Sequence, residues 1–222
     1  MSSTPAATDV REPPPTPFER AVDLSSRALY LVLPGLFFFP PGIAALRTEW
    51  KTSTFLLLFS GFLGCIFAVS ARFTRKINRT PWVMLLSLLA AEYYLFISLV
   101  RRDVVELIPP GVVNVIMLAG IFLSMSGKLW LGRSFGVVPA NRGVVMTGPY
   151  KLVRHPIYLG YMMCEIGFLL ASFSLRNLVV TVIGEILQML RILQEEKVLK
   201  QDPAYAEYAR ERVRYRLFPY VF

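Results

Sequence analysis

Residues 148–160 read GPYKLVRHPIYLG and contain the chain's only histidine, His155, set between Arg154 and Pro156 with Tyr150, Lys151 and Tyr158 close by. Proline disfavours helical geometry at the residue before it and suits the first turn of a helix after it. The spacing therefore predicts a helix starting at Pro156, its N-terminal amides free to meet a ligand's negative group. A polar, basic loop precedes this motif and an apolar run follows it.

Other groups able to do chemistry recur at helical spacing. Beyond Pro156, Tyr158, Met162 and Glu165 share one helical face; in the next apolar segment Glu185, Gln188, Arg191 and Glu195 do the same. Ionisable groups at lipid depth are costly and by default mark a cavity or a site. The plainer reading is an interhelical salt bridge, for example Glu165 with Arg191, that only locks two helices together. Glu92 stands alone in an earlier apolar run and reads equally as structural or functional. Glu195 and Glu196 are adjacent on a helix and so point in different directions, one toward a ligand and the other toward solvent. Helix-end solvation beside Lys197 or Lys200 is the alternative, weakened by the pair's expected level with His155. In the tail, Asp202-Pro203 makes an N-cap and first turn. Tyr205, Tyr208 and Arg212 follow at helical spacing, then Arg214, Tyr215, Arg216 and Pro219. A cationic membrane anchor is one reading of this tail; its dense aromatic-basic pattern and apolar end suggest a docked lid.

The elements that position these groups lie in lipid. The chain of 222 residues is 55% hydrophobic, with mean hydropathy +0.50, and several runs approach the ~20 residues that cross a bilayer. The pattern predicts an all-α, polytopic integral membrane protein with six hydrophobic segments: 28–46, broken by Pro34, Pro40 and Pro41, then 55–71, 82–100, 112–131, 157–173 and 178–193. Only 174–177 separate the last two, which predicts a tight antiparallel hairpin with short arms, and an amphipathic cytosolic helix follows. Residues 1–27 read as a disordered, proline-rich tail, 28–131 as four spans and 132–222 as the core that binds a ligand. With both termini in the cytosol, all of the 24 Lys and Arg except Arg47, Lys51, Arg101, Arg102 and Arg176 fall on the cytosolic side. That orientation brings the His155 motif and the tail to one face. The net charge of +9 is distributed as for anionic headgroups, which argues against nucleic acid. Cys65 and Cys164 both lie in apolar runs, and one histidine without clustered soft ligands gives no metal site. No Gly-x-Gly-x-x-Gly follows a strand-like run, so a nucleotide-like cofactor is not expected on a Rossmann sheet.

The combination G-P-Y-x-x-x-R-H-P-x-Y-x-G, a downstream Glu-Glu and Y-x-x-Y-x(5)-R-Y-R-x-x-P resembles the isoprenylcysteine carboxyl methyltransferase family, itself similar to the phospholipid methyltransferases. The resemblance covers about 131–222; the earlier segments match only as hydrophobic spans. It implies a helical membrane enzyme that uses S-adenosylmethionine, with a cytosol-facing site acting on a lipophilic small molecule or lipid. By resemblance, His155, Tyr158 and Glu195 or Glu196 contact the cofactor, and Gly148, Pro149, Tyr150 and Gly160 shape its pocket. Arg154, Arg214 and Arg216 orient carboxylates of cofactor or acceptor. His155, Arg154 and Glu195 are then the catalytic candidates, and Arg214, Arg216, Glu165, Arg191 and Glu92 those for the substrate. Similar final helices occur in membrane sterol reductases, which makes a nicotinamide-dependent double-bond reductase the second reading and a non-catalytic membrane protein the third.

Overall fold

A computed structural model describes residues 16–70, 80–97, 104–134, 144–213 and 215–217. The described chain is a bundle of helices in which no strand forms; a single isolated bridge joins Val105 to Phe173. α1 (Pro17–Phe37) begins ahead of the first apolar run, because Thr16 and Glu19 form a reciprocal capping box that satisfies its first amides. Residues 17–27 are thus helical rather than part of a disordered tail. Their charged side chains Glu19, Asp23 and Arg27 recur four apart on one buried face, with Asp23 and Arg27 2.5 Å apart. Residues 1–15 lie outside the described residues.

The break expected among the prolines falls at Phe38. α1 continues through Pro34 and α2 (Phe39–Thr48) starts with proline in its first turn. α3 (Thr52–Ser70) follows the expected second segment. α4 (Pro81–Glu92) is shorter than expected, passing into a 3₁₀ turn at Tyr93–Phe96. α5 (Pro110–Leu131) runs 22 residues and turns at Gly132.

α6 (Pro156–Ala171) and α7 (Leu175–Leu199) form the hairpin, with Ser174 capping the Asn177 amide and the Asn177 amide group donating to Ser172 O at 2.9 Å. The arms are unequal. α6 has 16 residues, whereas α7 has 25 and runs past the expected end at Leu193. Four stretches are long and apolar enough to cross a membrane: Pro17–Thr48, Thr52–Ser70, Pro110–Leu131 and Leu175–Leu199. α4 with its 3₁₀ turn and α6 are shorter apolar helices. The protein is an integral membrane protein, and of the six expected segments four are long enough to cross a membrane and two are short among the described residues. Large apolar side chains such as Val115, Leu118 and Phe122 on α5 and Val182, Ile183 and Ile186 on α7 face outward, as lipid requires.

α6 packs most extensively on α5 rather than on α7. Gly160 is the reason. A Cβ there would lie 2.5 Å from Gly120 O and 2.6 Å from the Ser124 amide, so only glycine permits this approach of the two backbones. α7 packs on α4 and the following turn, with the Tyr93 ring lying directly on Gly184. The expected C-terminal helix is a short one: α8 (Pro203–Glu207), capped by Asp202, continues as one π turn over Tyr208–Arg212.

Candidate functional site

The His155 motif is built as its proline dictates. His155 is non-helical at φ −127°, ψ 61°, and α6 starts at Pro156. Before it, Gly148 adopts φ +61° and its α-carbon abuts the Trp130 indole, a place no side chain could occupy. The 3₁₀ turn Gly148–Lys151 then delivers Tyr150 inward, its hydroxyl donating to Gly127 O at 3.3 Å. The C-terminal segment lies alongside: the Arg154 and His155 amides donate to Tyr215 O and Arg216 O, both at 3.0 Å. The Tyr208 hydroxyl donates to Tyr150 O, and Arg154 Nη1 to Ala209 O at 3.2 Å. The tail is docked onto the motif.

The two adjacent carboxylates take different parts. Glu196 is buried and meets Arg154 Nη2 at 2.8 Å and His155 Nε2 at 3.4 Å through Oε1, and Arg216 Nε at 2.9 Å and Lys200 Nζ at 3.3 Å through Oε2. Four basic side chains close around it, and it does not reach the cavity beside them. Glu195 does. It lines that cavity, and its Oε2 accepts the Tyr158 hydroxyl at 2.7 Å. The Tyr158 ring lies edge-on to His155 with centroids 5.6 Å apart, and the Arg191 guanidinium carbon sits 5.4 Å from its centroid.

The cavity encloses about 1370 Å³ of unfilled space, its open mouth included. Its upper part is walled by Tyr150, Arg154, His155, Tyr158 and Glu195, with Tyr205 and Tyr208 from the tail. Burial is the chief cause that pushes the Tyr150 and Tyr205 phenols well above the usual range. Burial and then the Glu196 charge push Tyr208 up to about 12 against the pull of Arg154. All three therefore remain neutral hydroxyls, and the buried Tyr205 hydroxyl has no protein partner.

Deeper, Glu165 and Arg191 also line the cavity, but they do not form the salt bridge the sequence allows. Glu165 faces the Glu185 carboxyl across the hairpin instead. Glu92 is buried just behind the wall, accepting the Tyr94 hydroxyl at 3.3 Å. Gly148, Pro149 and Gly160 do not line the cavity; Gly148 and Gly160 set backbone approaches around it. Arg216 is directed to Glu196, and Arg214 lies outside the described residues. Among those residues no three His, Cys, Asp or Glu side chains gather to hold a metal.

Apart from Glu92, sequence reasoning missed the contribution of the first three segments. Tyr30 of α1, Ser60 of α3 and Tyr93 and Tyr94 after α4 line the same cavity, so the division at residue 131 cuts through the site. Tyr161 was within reach, since it lies three residues past Tyr158 on α6; its ring is 4.7 Å from the buried Lys128 ammonium. For Tyr30, Tyr93 and Tyr94 the available signal was a polar-tipped ring inside an apolar run.

Residues 112–201 match the sequence profile of the isoprenylcysteine carboxyl methyltransferase (ICMT) family. The match begins two residues into α5 and ends just past α7, so it spans the α5–α6 contact, the His155 motif and both glutamates. Over this segment the chain is similar to that family of methyltransferases. No curated protein matches the chain.

Proposed function

We propose that this protein transfers a methyl group from S-adenosylmethionine to a lipophilic acceptor that enters the cavity from the bilayer. The observation that carries the reading is the convergence of Tyr158, Glu195, Arg154 and His155 on one large cavity, inside the segment that matches a methyltransferase family. The residues suit the cofactor's groups. Tyrosine faces stabilise a cationic centre. The Glu195 carboxylate suits an amine or ribose hydroxyls, and the unpartnered Tyr205 hydroxyl offers a further hydrogen bond. Arg154 and Arg191 on the wall suit a carboxylate.

His155, Tyr158, Tyr150 and Glu195 are the residues assigned to holding the cofactor. Glu196 acts one step back, fixing Arg154 through an ion pair and His155 through the contact with its Nε2. The cofactor supplies an electrophilic methyl group. What the chain supplies is alignment and exclusion of water, which for an in-line displacement account for much of the acceleration. Tyr205 and Tyr208 close the upper end of the cavity under the docked tail. The concentration of Lys and Arg at that end favours placing it, with both termini, in the cytosol.

The test is equilibrium binding to the purified protein in detergent with labelled S-adenosylmethionine and with NADPH. Saturable binding of the sulfonium cofactor, weakened in His155→Ala, is expected. Saturable NADPH binding without it would replace methyl transfer with double-bond reduction.

A further inference from the structure

The end of the bundle opposite the His155 motif carries a second hollow. Ala171, the last residue of α6, borders it, and the 16 residues of α6 put about 24 Å of helix between it and His155. It takes in about 570 Å³ of space, its open mouth included, and Glu49, Trp50, Lys51, Glu106 and Asn114 supply its polar wall. Backbone contacts fix that wall. Val105 exchanges both backbone hydrogen bonds with Phe173 at 2.9 Å and the Leu107 amide donates to Leu170 O at 2.9 Å, so Glu106 is held between two anchored neighbours. On the facing side the Glu49 amide donates to Ala45 O at 2.9 Å, and the Phe55 amide to Lys51 O at 3.1 Å.

The charges in this hollow are loosely matched. Lys51 Nζ lies 3.7 Å from Glu49 Oε1 and 3.6 Å from Glu106 Oε1. Charge-assisted hydrogen bonds run at about 2.7–2.9 Å, so the ammonium bridges the two acids without closing on either. The Glu49 and Glu106 side chains are 74% and 49% exposed, within reach of a ligand. Two carboxylates against one ammonium leave one negative charge in excess. A purely anionic ligand would meet that excess, and a bare cation would add a second positive charge beside Lys51. A group that carries an ammonium and a phosphate a few bonds apart meets neither objection, and the exposed Trp50 indole adds a face that attracts an ammonium. Below the hollow, Trp50 stacks on Phe55 with centroids 5.6 Å apart, and Phe55 on Phe59 at 6.0 Å. Phe62 and Ile66 continue this exposed strip on α3 at helical spacing. From 55 to 66 it follows about 16 Å of helix into the depth where lipid chains lie, beneath a tryptophan of the kind that marks the membrane interface.

We propose that this hollow binds one phospholipid whose headgroup carries an ammonium beside its phosphate. The ammonium sits between the Glu49 and Glu106 carboxylates and against the Trp50 indole, the phosphate meets Lys51, and an acyl chain lies along the Phe55–Ile66 strip. The assignment is independent of the methyl-transfer reading, because the hollow and the His155 cavity occupy opposite ends of α6.

Phosphatidylethanolamine is the probe. It is titrated into the purified protein in detergent, with bound lipid counted by native mass spectrometry, beside phosphatidylglycerol and soluble O-phosphoethanolamine. Saturable binding of phosphatidylethanolamine is expected, with phosphatidylglycerol and the soluble headgroup each about tenfold weaker or more. Losing one charged partner of the ammonium, Glu106→Gln should weaken phosphatidylethanolamine about tenfold at an unchanged melting temperature. Trp50→Leu should weaken it about threefold. Phosphatidylglycerol bound as tightly as phosphatidylethanolamine overturns the proposal. Wild-type affinity in Glu106→Gln does so too, since lipid held in the His155 cavity or around the bundle would not sense that residue. Equal affinity for soluble O-phosphoethanolamine would overturn the lipid as occupant in favour of a free ligand. Should Glu106→Gln not fold, the more exposed Glu49→Gln reads the same contact, and unchanged affinity there overturns the proposal alone.

Discussion

Two buried acids one helical hairpin apart are treated in opposite ways. Around Glu196 every carboxylate oxygen has basic side chains as partners, two on Oε1 and two on Oε2. Around Glu165 a second carboxyl, that of Glu185, stands where a cation would be expected, and neither Glu165 Oε2 nor the Gln188 carbonyl has a hydrogen-bond partner. Completeness marks Glu196 as the clasp that joins the His155 motif, the end of α7 and the C-terminal tail. Incompleteness marks the deeper residues as polar atoms that the fold leaves unpaired. Charge at lipid depth alone would rank the two together; the count of satisfied atoms separates them.

The comparison breaks first at Glu196. Removing it strands Arg154, His155 and Arg216 around a buried void, so Glu196→Ala is expected to destabilise the protein by about 3–5 kcal/mol in denaturant unfolding in detergent. A loss under ~1 kcal/mol would show that the clasp is not structural. Next comes the α5–α6 contact. Gly160→Ala drives a methyl group into Gly120 O and the Ser124 amide, with an expected cost of about 1–3 kcal/mol by the same measurement. Tyr158→Phe removes only the 2.7 Å bond to Glu195, about 1 kcal/mol, which should appear as a roughly fivefold loss of cofactor affinity with unfolding little changed. The smallest effect sharpens the contrast most. Gln188→Leu replaces an unpaired buried carbonyl by an apolar group and should leave stability within about 0.5 kcal/mol of wild type, or raise it. A large loss there would mean that the deep polar atoms serve the fold.

Local rules carried much of the sequence reading. The Pro156 helix start and the Asp202–Pro203 start of α8 each depend on a few neighbouring residues and are found where the sequence places them, while the tight turn expected at 174–177 falls at 172–174. The docked tail was readable as well, in the Tyr205 and Tyr208 spacing. What could not be read depends on distance in space. Which of Glu195 and Glu196 enters the cavity is decided by Arg154 and Arg216, some 20 to 40 residues away in the chain. Residues 17–27 read as a polar tail because composition hides the four-residue periodicity of Glu19, Asp23 and Arg27, which a helix turns into one buried face. The share of Tyr30, Tyr93 and Tyr94 in the cavity rests on how α1, α4 and α7 come together, and no single segment encodes that.

The account stands most directly on the upper cavity, and isothermal titration of S-adenosylhomocysteine into wild type and Glu195→Gln reads it in one experiment. Saturable one-to-one binding by wild type, weakened about tenfold in the variant with unchanged unfolding, is the predicted result; that ratio corresponds to about 1.4 kcal/mol for the lost carboxylate contact. Equal affinity in the two proteins, or no binding to either, would contradict it.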